Sequence, residues 1–178
     1  MNVFTRKRFF QALLFGASLC ATVVAQAHLM KAQHGTLNFK DDGVYMVLSL
    51  PASAFGEADE NNDKLLSSDE FSKNRFGMTE MIQRAVTLNS KYNDLMLEGI
   101  MLKLDTPHDS PKSPAPNVVV LGKFFLPNDK SALEFDINLF DSDQENHSIE
   151  ITASRKSEGL KQVFEISSNT PRVKLNFN

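Results

Sequence analysis

Apolar and polar residues alternate with a period of two along much of the second half of the chain. In the clearest run, the apolar residues at every second position are Leu133, Phe135, Ile137 and Leu139. Such alternation places one face of a strand in a core and the other in water, which is typical of antiparallel sheets. Runs bounded by Gly, Pro, Asn or Asp predict six strands, at 95–104, 118–126, 132–140, 148–153, 160–166 and 173–177.

Two further strand-like runs, 36–39 and 44–50, precede these six. They flank Asp41-Asp42-Gly43, a tight acidic turn in which the glycine can take a positive φ, and Pro51 ends the second run. The sequence therefore predicts that a β-hairpin opens the folded part of the chain.

The segment 53–89 has a different pattern. An acidic, Asn-rich stretch is followed by apolar residues with helical spacing, namely Phe71, Met78, Ile82, Ala85 and Val86. This spacing predicts one amphipathic helix, in which Gly77 costs about 1 kcal/mol relative to Ala and marks a place for a bend.

These elements together predict a mainly β (α+β) fold. The expected architecture is an antiparallel, immunoglobulin-like β-sandwich that forms one domain over residues 28–178, with a helical insertion at about 52–89. The segment 106–116 contains four prolines and is predicted to be a stiff surface loop between strands.

The first 27 residues have the pattern of a signal peptide. Arg6, Lys7 and Arg8 precede an apolar run from 9 to 24, and Ala25-Gln26-Ala27 is a small-x-small cleavage motif. We expect a periplasmic or secreted protein that begins at His28 and has no membrane span after cleavage. The single cysteine lies within the leader, so no disulfide is expected.

Removal of the leader takes away three basic residues and no acidic one, which changes the formal net charge from −3 to −6. An acidic protein of this size is not expected to bind nucleic acid through bulk electrostatics. Neither a nucleophile elbow nor a phosphate-binding Gly-rich loop nor a two-His metal helix is found in the sequence. We therefore expect a binding or structural protein rather than an enzyme.

The segment 59–70 carries the most informative pattern. When Asp59 is counted as position one, oxygen-bearing side chains fall at positions one, three, five, nine and twelve, and a backbone carbonyl falls at seven. The five side chains are those of Asp59, Asn61, Asp63, Ser67 and Glu70, and the carbonyl is that of Leu65. This spacing resembles the EF-hand calcium loop, in which alternate positions surround one ion and a bidentate Glu closes the shell.

The resemblance implies that Ca²⁺ is the cofactor and that these six residues are its ligands. Leu66 matches the apolar position beneath the loop, Phe71 matches the start of the exiting helix, and Phe55 matches an aromatic residue of the entering helix. The chain departs from the pattern at Lys64, where EF-hands have Gly in a left-handed turn. A side chain there costs roughly 1–2 kcal/mol, which predicts a weak site of about 10⁻⁴ to 10⁻³ M.

Other features of the resemblance and of the loop leave alternatives open. The segment 51–58 is short enough that the entering helix is expected to be one turn or missing, and no second loop is found; 141–146 lacks the closing Glu. Ser67 or Ser68 followed by Glu70 or Phe71 is also a good helix start, so the loop could instead be a solvated helix cap.

A second functional hypothesis concerns transition metals. A mature chain that begins at His28 would present an α-amine and an imidazole on one residue, which can chelate copper together, and Met30 and His34 are near. His108 and His147 are expected to be surface residues. The four methionines Met78, Met81, Met96 and Met101 are predicted to be core residues. The expected class of macromolecular partner is another periplasmic or membrane protein.

Overall fold

The structure is a computed structural model that describes residues 33–41, 43–106, 109–126, 132–140 and 148–176. Ten strands, one α-helix and two 3₁₀ turns lie in these ranges. In chain order they are β1 (His34–Lys40), β2 (Gly43–Pro51), the first 3₁₀ turn (Ala52–Phe55), α1 (Ser68–Ala85), β3 (Val86–Asn89), β4 (Asp94–Met96), β5 (Glu98–Leu104), β6 (Asn117–Phe125), β7 (Leu133–Ile137), β8 (Ser148–Arg155), the second 3₁₀ turn (Lys156–Glu158), β9 (Leu160–Ser167) and β10 (Arg172–Leu175).

The strands form two sheets. The order is β5-β6-β2-β1-β8-β9 in the six-stranded sheet and β10-β7-β3-β4 in the four-stranded sheet. The predicted mainly β (α+β), sandwich-like fold is therefore confirmed. One pairing differs from the predicted antiparallel, immunoglobulin-like arrangement, because β1 and β8 are parallel. These two strands are far apart in sequence, so no hairpin constrains their relative direction.

The inner faces of both sheets contribute to a common core. Phe124 of β6 and Phe135 of β7 meet edge to face, with ring centroids 6.3 Å apart. Their neighbours on the inner faces include Leu48, Leu88 and Ile151, all essentially inaccessible to solvent. The apolar positions predicted for β7 are confirmed, since Phe135 and Ile137 are buried against the other sheet. The predicted water-exposed face is wrong at Asp136, which is 3% exposed because it forms an ion pair with Arg172 of β10 at 2.6 Å, and the strand ends at Ile137 rather than at 140.

The helix α1 closes one side of this core through Met78 and Ile82, which are buried. It is continuous through Gly77, where the sequence marked a place for a bend. The predicted insertion extends to about 89, but the helix ends at Ala85 and the chain enters β3 directly at Val86. Val86, which the sequence assigned to the helix, is therefore a buried residue of the four-stranded sheet. The apolar spacing of the helix continues without a break into β3.

The predicted strand 95–104 is in fact two strands in different sheets. β4 pairs with β3, β5 pairs with β6, and the buried Leu97 lies between them. Leu97 packs against Gly122 of β6, where an added Cβ would lie 2.7 Å from the leucine side chain. A residue without a side chain at 122 is therefore what allows the chain to cross from one sheet to the other at this point.

The opening hairpin is present, but its turn differs from the prediction. Asp41 has a positive φ of 51°, whereas Gly43 does not and is the first residue of β2. Asp tolerates the left-handed region better than most residues, since its short side chain can hydrogen-bond locally. Asp42 lies outside the described residues.

Two of the four methionines that were predicted to be core residues are on the surface. Met78 is buried and Met81 is half-buried against the core, whereas Met96 and Met101 are more than half exposed. Met101 is on the outer face of the six-stranded sheet, where the alternation of β5 directs it away from the core. Among the described residues, no helix has both the length and the apolar character needed to cross a membrane.

Candidate metal site

The loop 59–70 connects the first 3₁₀ turn with α1. The predicted short entering helix is this 3₁₀ turn, Ala52–Phe55, and the side chain of Phe55 is fully buried in the core. At the other end, Ser67 is the N-cap of α1. The loop is thus held between an aromatic residue in the core and the first turn of the helix.

Asp59 supplies the most buried carboxylate of the loop. It is 7% exposed, and its two oxygens accept hydrogen bonds from the backbone N–H groups of Asp63, at 3.2 Å, and Lys64, at 2.7 Å. The backbone therefore curls around this carboxylate from position one to position six of the loop.

Glu70 joins the two ends of the loop. Its Oε1 accepts from the backbone N–H of Glu60 at 3.0 Å, and its Oε2 accepts from the N–H and hydroxyl of Ser67 at 2.9 Å and 2.7 Å. The hydrogen bonds from Ser67, hydroxyl first, hold the pKa of Glu70 below its ordinary value. The stabilisation that accompanies this shift is present above the unfolded-state pKa and is lost as the pH falls through the lower folded-state pKa.

Asn61 and Asp63 form the exposed outer part of the loop. Asn61 Oδ1 accepts from the backbone N–H of Asp63 at 3.0 Å, and Asp63 Oδ1 accepts from that of Leu65 at 2.8 Å. The Asn61 amide also donates to Asp63 Oδ2 at 3.0 Å. Three of the predicted ligand side chains, those of Asp59, Asn61 and Asp63, are therefore gathered on the concave side of one turn.

Lys64 adopts the conformation that EF-hands obtain with glycine. Its φ is +64°, and that of Asn62 is +58°. The left-handed turn at position six, which the sequence predicted to be disfavoured by a side chain, is therefore formed even though the residue is a lysine. Backbone strain of about 1–2 kcal/mol is expected for a lysine in the left-handed region, whereas Asn tolerates it better.

The loop is tied to the sandwich by a residue that sequence reasoning missed. The N–H and C=O of Leu66 form an antiparallel bridge with Ala115, at 2.9 Å and 2.8 Å, and Ala52 donates to Pro116 O at 2.8 Å. The Pro-rich connector between β5 and β6 thus holds the insertion at two points, at its start in Ala52 and at Leu66 within the loop. The signal in the sequence was a small apolar residue, Ala115, between two prolines in an otherwise polar segment.

The helix contributes a second attachment. Asn74, one turn beyond Glu70, donates to the carbonyl of Glu70 at 3.0 Å and to Glu60 Oε1 at 3.3 Å. Lys73 forms an ion pair with the same Glu60 oxygen at 2.6 Å. The Lys73 contact, followed by that of Asn74, holds the pKa of Glu60 below its ordinary value. Glu60 is therefore directed towards the helix and away from the predicted ligands.

Ser67 and Glu70 form the helix cap that the sequence analysis gave as the alternative to a calcium loop. Ser67 and Glu70 form a reciprocal capping box, since Glu70 N–H donates to Ser67 Oγ at 3.2 Å while Glu70 accepts from the N–H of Ser67. Within the described ranges, no group of three or more His, Cys, Asp and Glu side chains is arranged to hold a metal ion. Ion binding would therefore require the carboxylates of Asp63 and Glu70 to turn away from their present donors.

The residues of the copper hypothesis are mostly outside the described part of the chain. His28, Met30, His108 and His147 lie outside it, as do the predicted cleavage site and the segment 141–146. His34 is described: it is the first residue of β1, and its Nε2 lies 2.7 Å from Glu150 Oε1 on β8. The imidazole therefore has a carboxylate partner across the parallel strand pair.

Comparisons with known proteins add no assignment to this geometry. A scan against models of protein families finds no match for the chain, and a search of curated proteins finds no relative. The functional argument therefore rests on the loop itself and on the mainly β fold that carries it.

Proposed function

We propose that this protein binds one Ca²⁺ ion through the loop 59–70 and acts as an exported, non-enzymatic binding or structural protein. The observation that carries the proposal is the curl of the loop backbone around the two carboxylates at its ends. N–H groups of Asp63 and Lys64 point to Asp59, and the N–H of Glu60 points to Glu70. Ion binding then requires side-chain rotation rather than refolding of the loop.

The donor set supports calcium over other metals. Carboxylates of Asp59, Asp63 and Glu70, with amide, hydroxyl and carbonyl oxygens between them, are hard ligands at flexible angles, which suit the six to eight oxygens of Ca²⁺. The loop contains neither thiolate nor imidazole, so softer metals gain no advantage there. The three negative charges also repel one another, and a divalent cation would relieve this repulsion.

The expected role of the ion is structural. The loop lies between Phe55 in the core, the start of α1, and the connector that contains Ala115. Binding at its centre would join these three parts and stabilise the folded protein by mass action. A weak site of this kind would be filled where calcium is abundant, as outside the cytoplasm.

A calorimetric titration with Ca²⁺, and separately with Mg²⁺, tests the proposal on protein produced from the full-length coding sequence. We expect saturable Ca²⁺ binding near one ion per chain in the range of about 10⁻⁴ to 10⁻³ M, and weaker Mg²⁺ binding, because Mg²⁺ demands a smaller and more regular shell. Calcium should also slow proteolysis near Asn61. No saturable heat at several millimolar Ca²⁺, or equal cleavage with calcium and with chelator, would contradict the proposal.

Replacement of Lys64 by glycine is expected to strengthen the site. Lys64→Gly removes the Cβ from a left-handed position and should raise the free energy of unfolding by about 1 kcal/mol. Calcium should also bind more tightly, because the substitution removes a positive charge from the turn that carries the carboxylates of Asp59 and Asp63. Urea unfolding and calorimetry measure the two effects.

Asn62→Gly is the matched control, because Asn62 has nearly the same φ and the Asn side chain is tolerated there. Its effect on stability should be close to zero. If Lys64→Gly destabilises the protein or weakens calcium binding, the turn at position six is not the element that limits the site.

A further inference from the structure

The outer face of the six-stranded sheet carries more apolar surface than a face exposed to water requires. Four of its large side chains are about half exposed, namely Tyr45 at 46%, Phe125 at 47%, Val163 at 51% and Met101 at 57%. The ammonium of Lys123 lies 4.2 Å from the centroid of the Phe125 ring and 5.2 Å from that of Tyr45, which gathers the two rings into one patch. Apolar patches on antiparallel sheets commonly mark interaction surfaces.

The strand registers place this surface in rows that cross all six strands. The middle row, in the spatial order of the strands, is Met101, Leu121, Val47, Thr36, Thr152 and Val163. None of these six residues carries a charge, and the side chains at both ends of the row are half exposed. The middle of the face is therefore an uncharged stripe that runs from one edge strand to the other.

The rows on either side of the stripe carry charges at the two edge strands, and the charges are of opposite sign. At the edges of the face, Glu98 on β5 shares one row with Lys161 on β9, and Lys103 on β5 shares the other with Glu165 on β9. All four of these residues are exposed. The first row also contains Lys123 on β6, and the second also contains Glu150 on β8. Consider a two-fold axis that lies above this face, parallel to the strands and over the boundary between β2 and β1. Rotation about it places β9 of a second copy over β5 of the first, and each row of the second copy over the same row of the first.

We propose that a second copy of this chain covers this face in a symmetric dimer. In the arrangement defined by that axis, Met101 of one copy lies over Val163 of the other. Glu98 lies over Lys161, and Lys103 lies over Glu165. Each of these three pairs occurs twice per dimer, since a two-fold interface is self-complementary. The face thus matches itself in charge at its edge strands, while the inner charges of Lys123 and Glu150 face the uncharged residues Ser154 and Val119.

The size of the face is sufficient for a specific interface. Six strands at a spacing of about 4.8 Å, with about seven residues per strand at 3.3 Å, cover roughly 650 Å² per copy. Standard interfaces bury about 800 Å² per partner, so this face is at the lower end of the specific class and fits a reversible dimer. Aligned packing of two sheets about 10 Å apart leaves room for the charged side chains at the edges to meet.

Sedimentation equilibrium at low ionic strength, over about 1 μM to 500 μM protein, tests the dimer. We expect a monomer–dimer equilibrium for the wild-type protein. Lys103→Glu places like charges opposite Glu165 at two sites per dimer and should raise the dimer Kd at least about tenfold. Glu165→Lys should do the same, and the double variant Lys103→Glu/Glu165→Lys should return to within about threefold of wild type, because the pair is restored with reversed polarity.

Lys91→Glu is the matched control, since it makes the same change in net charge in the turn between β3 and β4 of the other sheet. It should leave the dimer Kd unchanged. Circular dichroism verifies that each variant is folded. A monomer at every concentration would overturn the proposal. So would a dimer insensitive to Lys103→Glu, a double variant that does not recover, or a Lys91→Glu effect as large as that of Lys103→Glu.

Discussion

Glu70→Gln is expected to abolish measurable calcium binding while the protein remains folded. The substitution removes one of three negative charges and one of the two carboxylate oxygens that would close the shell. The capping box tolerates Gln as well as Glu at this position, since an amide oxygen still accepts from the N–H of Ser67. Calorimetry should therefore show no saturable Ca²⁺ heat, and the far-ultraviolet circular dichroism should be that of the wild-type protein.

Asp69→Asn is the control for Glu70→Gln. It removes the same charge from the same first turn of α1, where Asp69 is exposed and is not a predicted ligand. Calcium affinity should change less than about threefold, which is the effect of one nearby surface charge screened by salt. Equal losses in the two variants would mean that calcium responds to the net charge of the region and not to a coordination site.

Leu66→Ala is expected to destabilise the protein by about 2–4 kcal/mol, because it removes a fully buried leucine and leaves a cavity. Leu66 is also the residue whose backbone bridges to Ala115, so its side chain and its backbone attach the loop to the sandwich together. Urea denaturation followed by circular dichroism measures the change. The loop should at the same time become more sensitive to proteolysis, since its attachment to the core is weakened.

Leu65→Ala provides the comparison for Leu66→Ala. The two leucines are neighbours, but Leu65 is half-buried and contributes its backbone carbonyl, which alanine retains, to the predicted ligand set. Its cost should be below about 1 kcal/mol, as is usual away from the core. If both substitutions cost the same, Leu66 does not have the anchoring role that its burial indicates.

The spacing of apolar residues along the chain predicted most of the secondary structure, because local backbone geometry determines which side chains face the core. The helical spacing in α1 and the apolar positions of β7 were interpreted correctly, whereas the polar face of β7 was not, because Asp136 is buried. Predictions were wrong where one apolar run serves two elements. Val86 continues the helical spacing but belongs to β3, and Leu97 joins two strands that the sequence presents as one.

The loop 59–70 illustrates the same division at the level of the site. Its sequence correctly predicted a helix start with Ser67 as the N-cap, because a cap depends on residues within one turn of each other. The calcium ligand set that its spacing indicates stays a prediction. Its attachment to Ala115 could not be read from spacing, since 49 positions separate Ala115 from Leu66 and a backbone bridge leaves no mark on side-chain identity. The left-handed Lys64 also differs from what its residue type favours, because the surrounding hydrogen bonds determine the turn.

The sequence by itself determined the mainly β class and the position of the helix, both of which depend on short-range periodicity. It also sets the order of oxygen-bearing side chains in the loop 59–70 on which the proposal of calcium binding rests. The tertiary structure decided which strands are neighbours, including the parallel pair β1 and β8. It also decided that Met101 faces solvent and that Glu98 and Lys103 share rows with Lys161 and Glu165. These features depend on hydrogen bonds between segments far apart in the chain, whose register is set by packing of the whole core.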